Sequence, residues 1–197
     1  MFIKPSKFEK LIKTAYKSGR LHVGNDGINF LAAGAGWSLA MEEELMPKEL
    51  KAAVIKYVGR MPAKDEYFLA LDDGDQAEVA GAFFIGEEDT KKFHYAEATH
   101  LAYIKGSVTY NIFQSASEKY DFVISADLIN IIDESEIDDI DGELGISGPY
   151  LDRAGRQMIV ENDRMQLRLF IPEPDDDIEA LLDFLKEKDI NALEEET

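Results

Sequence analysis

"FIKPSKFEKLI" (residues 2–12) has a spacing that returns in "ELMPKELKAAV" (residues 44–54) and in "FVISADLINII" (residues 122–132). Each stretch runs from apolar residues into Pro5, Pro47 or Ser125, then has two free positions, an apolar residue, two more positions and another apolar residue. Pro suits the first turn of a helix, and Ser caps one, so each stretch marks a strand running into a helix. The elements after each helix also agree. The segments read as strand–helix–strand–strand–strand over residues 1–43, 43–86 and 119–172, with a shortened version over 91–117. The competing explanation is that Pro and Ser cap helices of every kind. The shared order of the later strands argues against it.

Working outward, the spacing predicts a helix over 5–18, ended by Gly19, with Phe8, Leu11, Ile12, Ala15 and Tyr16 on one side. Lys10, Lys13 and Lys17 fall opposite, with Lys7 at the flank. A second helix is expected over 47–58, with Leu50, Val54, Tyr57 and Val58 inward and Lys48, Lys56 and Arg60 outward. "LHVGNDGINFLAAG" reads as a hairpin turning at Asn25-Asp26-Gly27, and "RQMIVENDRMQLRLFIP" as one turning at Asn162-Asp163. "GWSLAME" alternates as a strand, which puts Trp37 in the core rather than on a stacking platform. "EYFLALDDG", "AEVAGAFFI", "SVTYNIFQ", "YDFVIS" and "ELGIS" are further strands, and "ADLINIID" is a short helix. Residues 93–105 favour no state clearly and are assigned a short helix. "DDDIEALLDFLKEKD" is an amphipathic helix followed by a frayed tail. The fold class expected is α+β: repeated units forming antiparallel sheets with helices on one face, plus the C-terminal helix. The polar break "GEEDTKK" divides the chain into residues 1–88, 89–172 and an acidic helix and tail at 173–197.

The unit resembles the half-domain repeat of DNA sliding clamps, the ring-shaped processivity factors of replicative polymerases. "FIKPSKFEKLIKTAYKSGRLHVGNDGINFLAAGAGWSLAMEEE" is similar to a clamp's opening strand, inner helix and hairpin. "LMPKELKAAVIKYVGRMPAKDEYFLALDDG" is similar to the second half of a clamp domain, and "DFVISADLINII" with "RQMIVENDRMQLRLFIP" to the closing half of a last domain. The resemblance implies that two units make a domain, that domains join edge to edge into a ring of several subunits, and that Lys and Arg on the helices face DNA. Lys7, Lys10, Lys13, Lys17, Arg20, Lys48, Lys56 and Arg60 would then be the DNA-binding residues. The unit at 91–117 is too short for a full helix and three strands, and the helix of the unit at 119–172 is acidic. A clamp-derived protein that no longer encircles DNA therefore fits as well.

Charge is distributed in a way that bears on this. Residues 1–64 hold eleven Lys and Arg against six Asp and Glu, net +5, and the remainder is net −24, which together make −19. A sliding surface needs many weak phosphate contacts and no base readout, and Lys supplies these as a point charge on a flexible stem. The plainer explanation is solubility with ordinary solvated helix faces. With no Cys there is no disulfide, no thiol nucleophile and no thiolate-bound metal. No apolar run approaches the about 20 residues of a membrane span, and "MFIKPSKFEK" lacks a signal peptide's apolar core. A cytoplasmic setting is expected.

Enzyme chemistry finds little support. His94, Glu97 and His100 in "HYAEATH" share no face on either a helix or a strand, so they are expected to be structural. In the acidic run "DESEIDDIDGE", aligning Gly142 with a calcium-loop glycine puts Ile137 and Gly148 at the anchoring positions, so the loop is rejected; "LDDGDQ" fails through Leu71. "GAGW" has no helix behind it to cradle a phosphate, and no GxSxG arrangement occurs. "IEALLDFL" loosely resembles clamp-binding peptides but lacks their Gln, and its apolar spacing fits docking on its own domain. The leading expectation is a non-enzymatic, cofactor-free, clamp-like protein. It would contact double-stranded DNA weakly and without sequence preference, or meet replication proteins, as a homo-oligomer. The alternative is an acidic interaction protein or DNA-mimic inhibitor. A divalent-metal hydrolase ranks last.

Overall fold

The structure is a computed structural model that describes residues 3–72, 74, 76–79, 93–115, 121–133, 147–152, 156–186 and 188. In chain order its elements are α1 (Pro5–Lys17), β1 (Leu21–Asn25), β2 (Asn29–Gly34), β3 (Trp37–Glu42), α2 (Lys48–Val58), β4 (Glu66–Ala70), β5 (Gln76–Glu78), β6 (His94–Lys105), β7 (Val108–Ser115), β8 (Asp121–Ser125), α3 (Ala126–Ile129), β9 (Ser147–Asp152), β10 (Gln157–Asn162), β11 (Met165–Phe170) and α4 (Asp176–Leu185). A 3₁₀ turn, Glu43–Leu45, precedes α2. The protein is α+β. Its eleven described strands form one sheet in the order β5-β4-β1-β2-β3-β11-β10-β9-β6-β7-β8, and every pairing is antiparallel.

The helix boundaries follow local chemistry. Pro5 opens α1, where its missing N–H costs no hydrogen bond. α2 begins after Pro47 and ends at Gly59, whose φ of 88° a side chain would resist and whose N–H returns to the Ile55 carbonyl. Both hairpins form: β1 meets β2 around Asp26, Gly27 and Ile28, and β10 meets β11 around Asp163 and Arg164. The Asp26 carboxylate accepts from the Ile28 and Asn29 N–H groups, fixing the first turn.

One apolar core underlies the sheet. Alternate residues of the strands point to it, among them Leu21 and Val23, Phe30 and Ala32, Trp37 and Leu39, Leu167 and Leu169, Met158 and Val160, and Phe113 and Phe122. From the other side α1 contributes Phe8, Ile12 and Ala15, α2 contributes Leu50, Ala53 and Val54, and α3 contributes Ile129. Distant parts of the chain meet in it. β3 pairs with β11 through Leu39↔Leu167, and Ile3 pairs with Ile132 in an isolated bridge. α4 lies against the opposite face, where Ile178 and Leu185 pack on Ile112 and Val123.

Several sequence expectations are corrected. Residues 94–105 are a strand, not a short helix: β6 pairs with β7 and, at His94 and Tyr95, with β9. Its Ala, Glu, His and Leu content favours a helix locally, but cross-strand pairing decides the state. In "ADLINIID" only Ala126–Ile129 is helical, and Ile131 and Ile132 turn into the core. The shortened unit at 91–117 contains two strands and no helix among its described residues. Of the first unit's leading strand, the described residues show the single Ile3 bridge. "AEVAGAFFI" is described only through Val79, with its Ala77 and Glu78 in the strand Gln76–Glu78, and "ELGIS" only at Ser147. "GEEDTKK" and the domain boundary drawn there, residues 134–143 of the acidic run, and the tail 191–197 lie outside the described residues. No helix among the described residues is long and apolar enough to cross a membrane.

Candidate nucleic-acid interface

α1 and α2 pack side by side on the same face of the sheet. Tyr16 and Tyr57 meet with ring centroids 6.0 Å apart, and Lys56 Nζ donates to Glu9 Oε1 at 2.6 Å. The Tyr57 hydroxyl lies 3.3 Å from the same carboxylate. On its other flank α1 meets α3, where Lys10 Nζ sits 3.0 Å from both Asp127 oxygens. The helical layer therefore runs α2–α1–α3. Two cavities border α3. One, of about 310 Å³, lies between α1 and α3 around Leu11, Trp37 and Leu128. The other, of about 270 Å³, lies beneath β6 and β9 around Phe113, Ile132 and Met158.

The eight expected DNA-binding residues divide into two groups. Lys10, Lys56 and Arg60 are held by carboxylates. Arg60 forms a bidentate pair with Glu66, also reaches Gln76, and lies over the Phe68 ring. This fork and the Ala63 N–H hold the Glu66 carboxyl down to about 2. The Lys56 hydrogen bond holds Glu9 below the usual carboxylate range, and Glu9 in turn raises Lys56. Lys7, Lys13, Lys17, Arg20 and Lys48 are exposed, and no ion pair engages them among the described residues.

The helix repeat sets the geometry. Lys7, Lys10, Lys13 and Lys17 form one solvent-facing ridge because Phe8, Ile12 and Ala15 are drawn into the core. At about 1.5 Å per residue the ridge runs about 15 Å from Lys7 to Lys17. α2 presents less charge outward: exposed Ala52 and Ile55 separate Lys48 from Lys56. The carboxylates that neutralise Lys10 and Lys56 carry no local signal, since Asp127 and Glu9 stand 117 and 47 residues away from them.

The remaining sequence candidates are not brought together into a site. His94, Glu97 and His100 lie along β6, whose register shifts between Ala98 and Ala102, and no group of three or more His, Asp or Glu among the described residues could hold a metal. Trp37 is buried, edge-on to Phe8 at 6.5 Å. Gly34 ends β2 and Gly36 lies in the turn to β3.

Comparison with known protein families, with curated proteins and with solved structures found no match. The cations of α1 and α2 therefore carry the functional reading by themselves.

Proposed function

We propose that this is a non-enzymatic, sliding-clamp-like protein that contacts double-stranded DNA weakly and without sequence preference through the α1 ridge and Lys48 of α2. The observation that carries the reading is the exposed ridge of α1, where Lys7, Lys13 and Lys17, with Arg20 just beyond, make no ion pair among the described residues, in a chain of net charge −19. Cations gathered on an otherwise acidic molecule meet phosphates while the remainder is repelled. The order of elements supports the clamp resemblance: α1 leads into β1–β2–β3, and β8 leads through α3 into β9–β10–β11. Lys10, Lys56 and Arg60, already paired, serve chiefly to fix the helices. Replication proteins as partners, assembly of several copies and a cytoplasmic location belong to the same proposal.

The test is fluorescence anisotropy with two unrelated duplexes of equal length, titrated at low salt and again as salt is raised. Equal binding to both that fades with salt is expected. Marked preference for one duplex would overturn the reading.

A second reading has its own support. Three of the eight cations are already neutralised, and the sequence after residue 64 is net −24, which suits an acidic protein that imitates a phosphate backbone. It predicts no DNA binding and salt-sensitive capture of a DNA-binding protein.

A further inference from the structure

α4 is attached differently from the other helices. α1, α2 and α3 are built into the main core, whereas α4 sits on the outer face of β7 and β8 in a small cluster of its own. Ile178 and Leu185 are its only buried residues. At its start, Lys105 Nζ reaches Asp175 Oδ2 at 2.6 Å and Asp177 Oδ2 at 3.2 Å. Beyond its end, Gln114 Nε2 donates to the Lys188 carbonyl at 3.1 Å. The seat thus offers a cation, an apolar middle and an amide donor, in the order that an amphipathic helix with an acidic first turn requires.

The link to this helix is suited to movement. Residues 171–175 read "IPEPD", and Pro172 to Asp175 are exposed. Arg156 holds the first part, donating to the Pro172 carbonyl at 2.7 Å and pairing with Glu173 at 3.1 Å. Pro174 comes next, and a short Pro-containing link is a stiff, extended spacer that resists folding back on itself.

We propose that α4 is an exchangeable helix, and that the seat formed by Lys105, Ile112, Val123 and Gln114 receives α4 of a second copy of this chain. Exchange needs no new contact. The closed and exchanged forms share one interface, so protein concentration and the link set the balance between them. Exchange is independent of DNA binding, since the seat lies on the face of the sheet opposite α1.

Two full-length variants test it: Lys105→Glu, which reverses the seat, and Asp175→Lys with Asp177→Lys, which reverses the helix. Each alone opposes its own latch. Mixed, each seat finds a matching helix on the other chain. Light scattering after size exclusion should show several-fold more two-chain species in the mixture than in either variant alone. No increase, or equal dimer in all samples, overturns the proposal. Should either variant fail to fold, native mass spectrometry of wild type and of a full-length Leu185→Asp variant, each at on the order of 0.1 mM, decides it. Two-chain species that the substitution in α4 removes are expected; monomers only, or two-chain species that survive the substitution, would overturn it.

Discussion

Lys56 Nζ stands 2.6 Å from Glu9 Oε1, and this pair joins α2 to α1 across the solvent side of their packing. It also removes one cation from the proposed DNA surface. Glu9→Gln keeps an acceptor for Lys56 while deleting the charge. The variant should bind duplex DNA more tightly at low salt, with a salt slope steeper by about 0.9. Anisotropy titrations of the two proteins across a salt series measure this, and an unchanged slope would count against Lys56 as a phosphate contact.

Gly34 is placed where no side chain fits. A Cβ there would lie 2.6 Å from Trp37 Nε1 and 2.9 Å from the Ala15 Cβ. Both neighbours are buried, so Gly34→Ala must push α1 away from the β2–β3 turn. Overpacking of this kind costs about 1–3 kcal/mol. Urea unfolding followed by the emission of Trp37, the chain's one Trp, should show a lower midpoint.

Glu66 links acid stability to the α2–β4 connection. Its carboxyl is lowered from 4.5 to about 2 by Arg60 and by the Ala63 N–H. A depressed carboxylate stabilises the fold above its unfolded value and loses that contribution as pH falls through the folded one. The loss should therefore occur between about pH 4.5 and about pH 2. Glu66→Gln should unfold at lower urea than wild type at about pH 6 and converge with it at about pH 2.

Asp121 has the opposite sign. It is buried at the start of β8, accepts from Gln114 at 3.0 Å through Oδ1, and has no partner for Oδ2 among the described residues. Burial raises its carboxyl above 3.8, so the folded state holds the proton more firmly than the unfolded one. That contribution is complete below 3.8 and is lost as pH rises through the raised value. Asp121→Asn keeps the Gln114 contact and removes the titration. The variant should lose less stability than wild type as pH rises from about 4 in urea unfolding.

Sequence legibility divides along the range of the interactions. α1 and α2 are readable because Pro5 and Pro47 mark their starts and the 3.6-residue spacing of Phe8, Ile12 and Ala15, or of Leu50 and Val54, has a single interpretation. The two hairpins are readable from Asp26-Gly27 and Asn162-Asp163, whose side chains suit tight turns. The burial of Trp37 and the docking of α4 come from periodicity alone. β6 is not readable. Its residues favour no state clearly, most are exposed, and a bulge interrupts the alternation that would mark a strand. Nor can spacing reveal that Ile3 bridges Ile132 or that Lys10 meets Asp127, because these depend on how the sheet brings distant segments together. The candidate surface is legible as a set of cations, but not as to which of them remain unpaired.

The most direct measurement is the slope of log K against log salt for duplex binding, compared between wild type and a Lys7→Gln, Lys13→Gln, Lys17→Gln variant. If Lys7, Lys13, Lys17, Arg20 and Lys48 each meet a phosphate, wild type should show a slope of about −4.5 and the variant about −2. Duplex binding that is absent at low salt, or a slope unmoved by the triple substitution, would contradict the account.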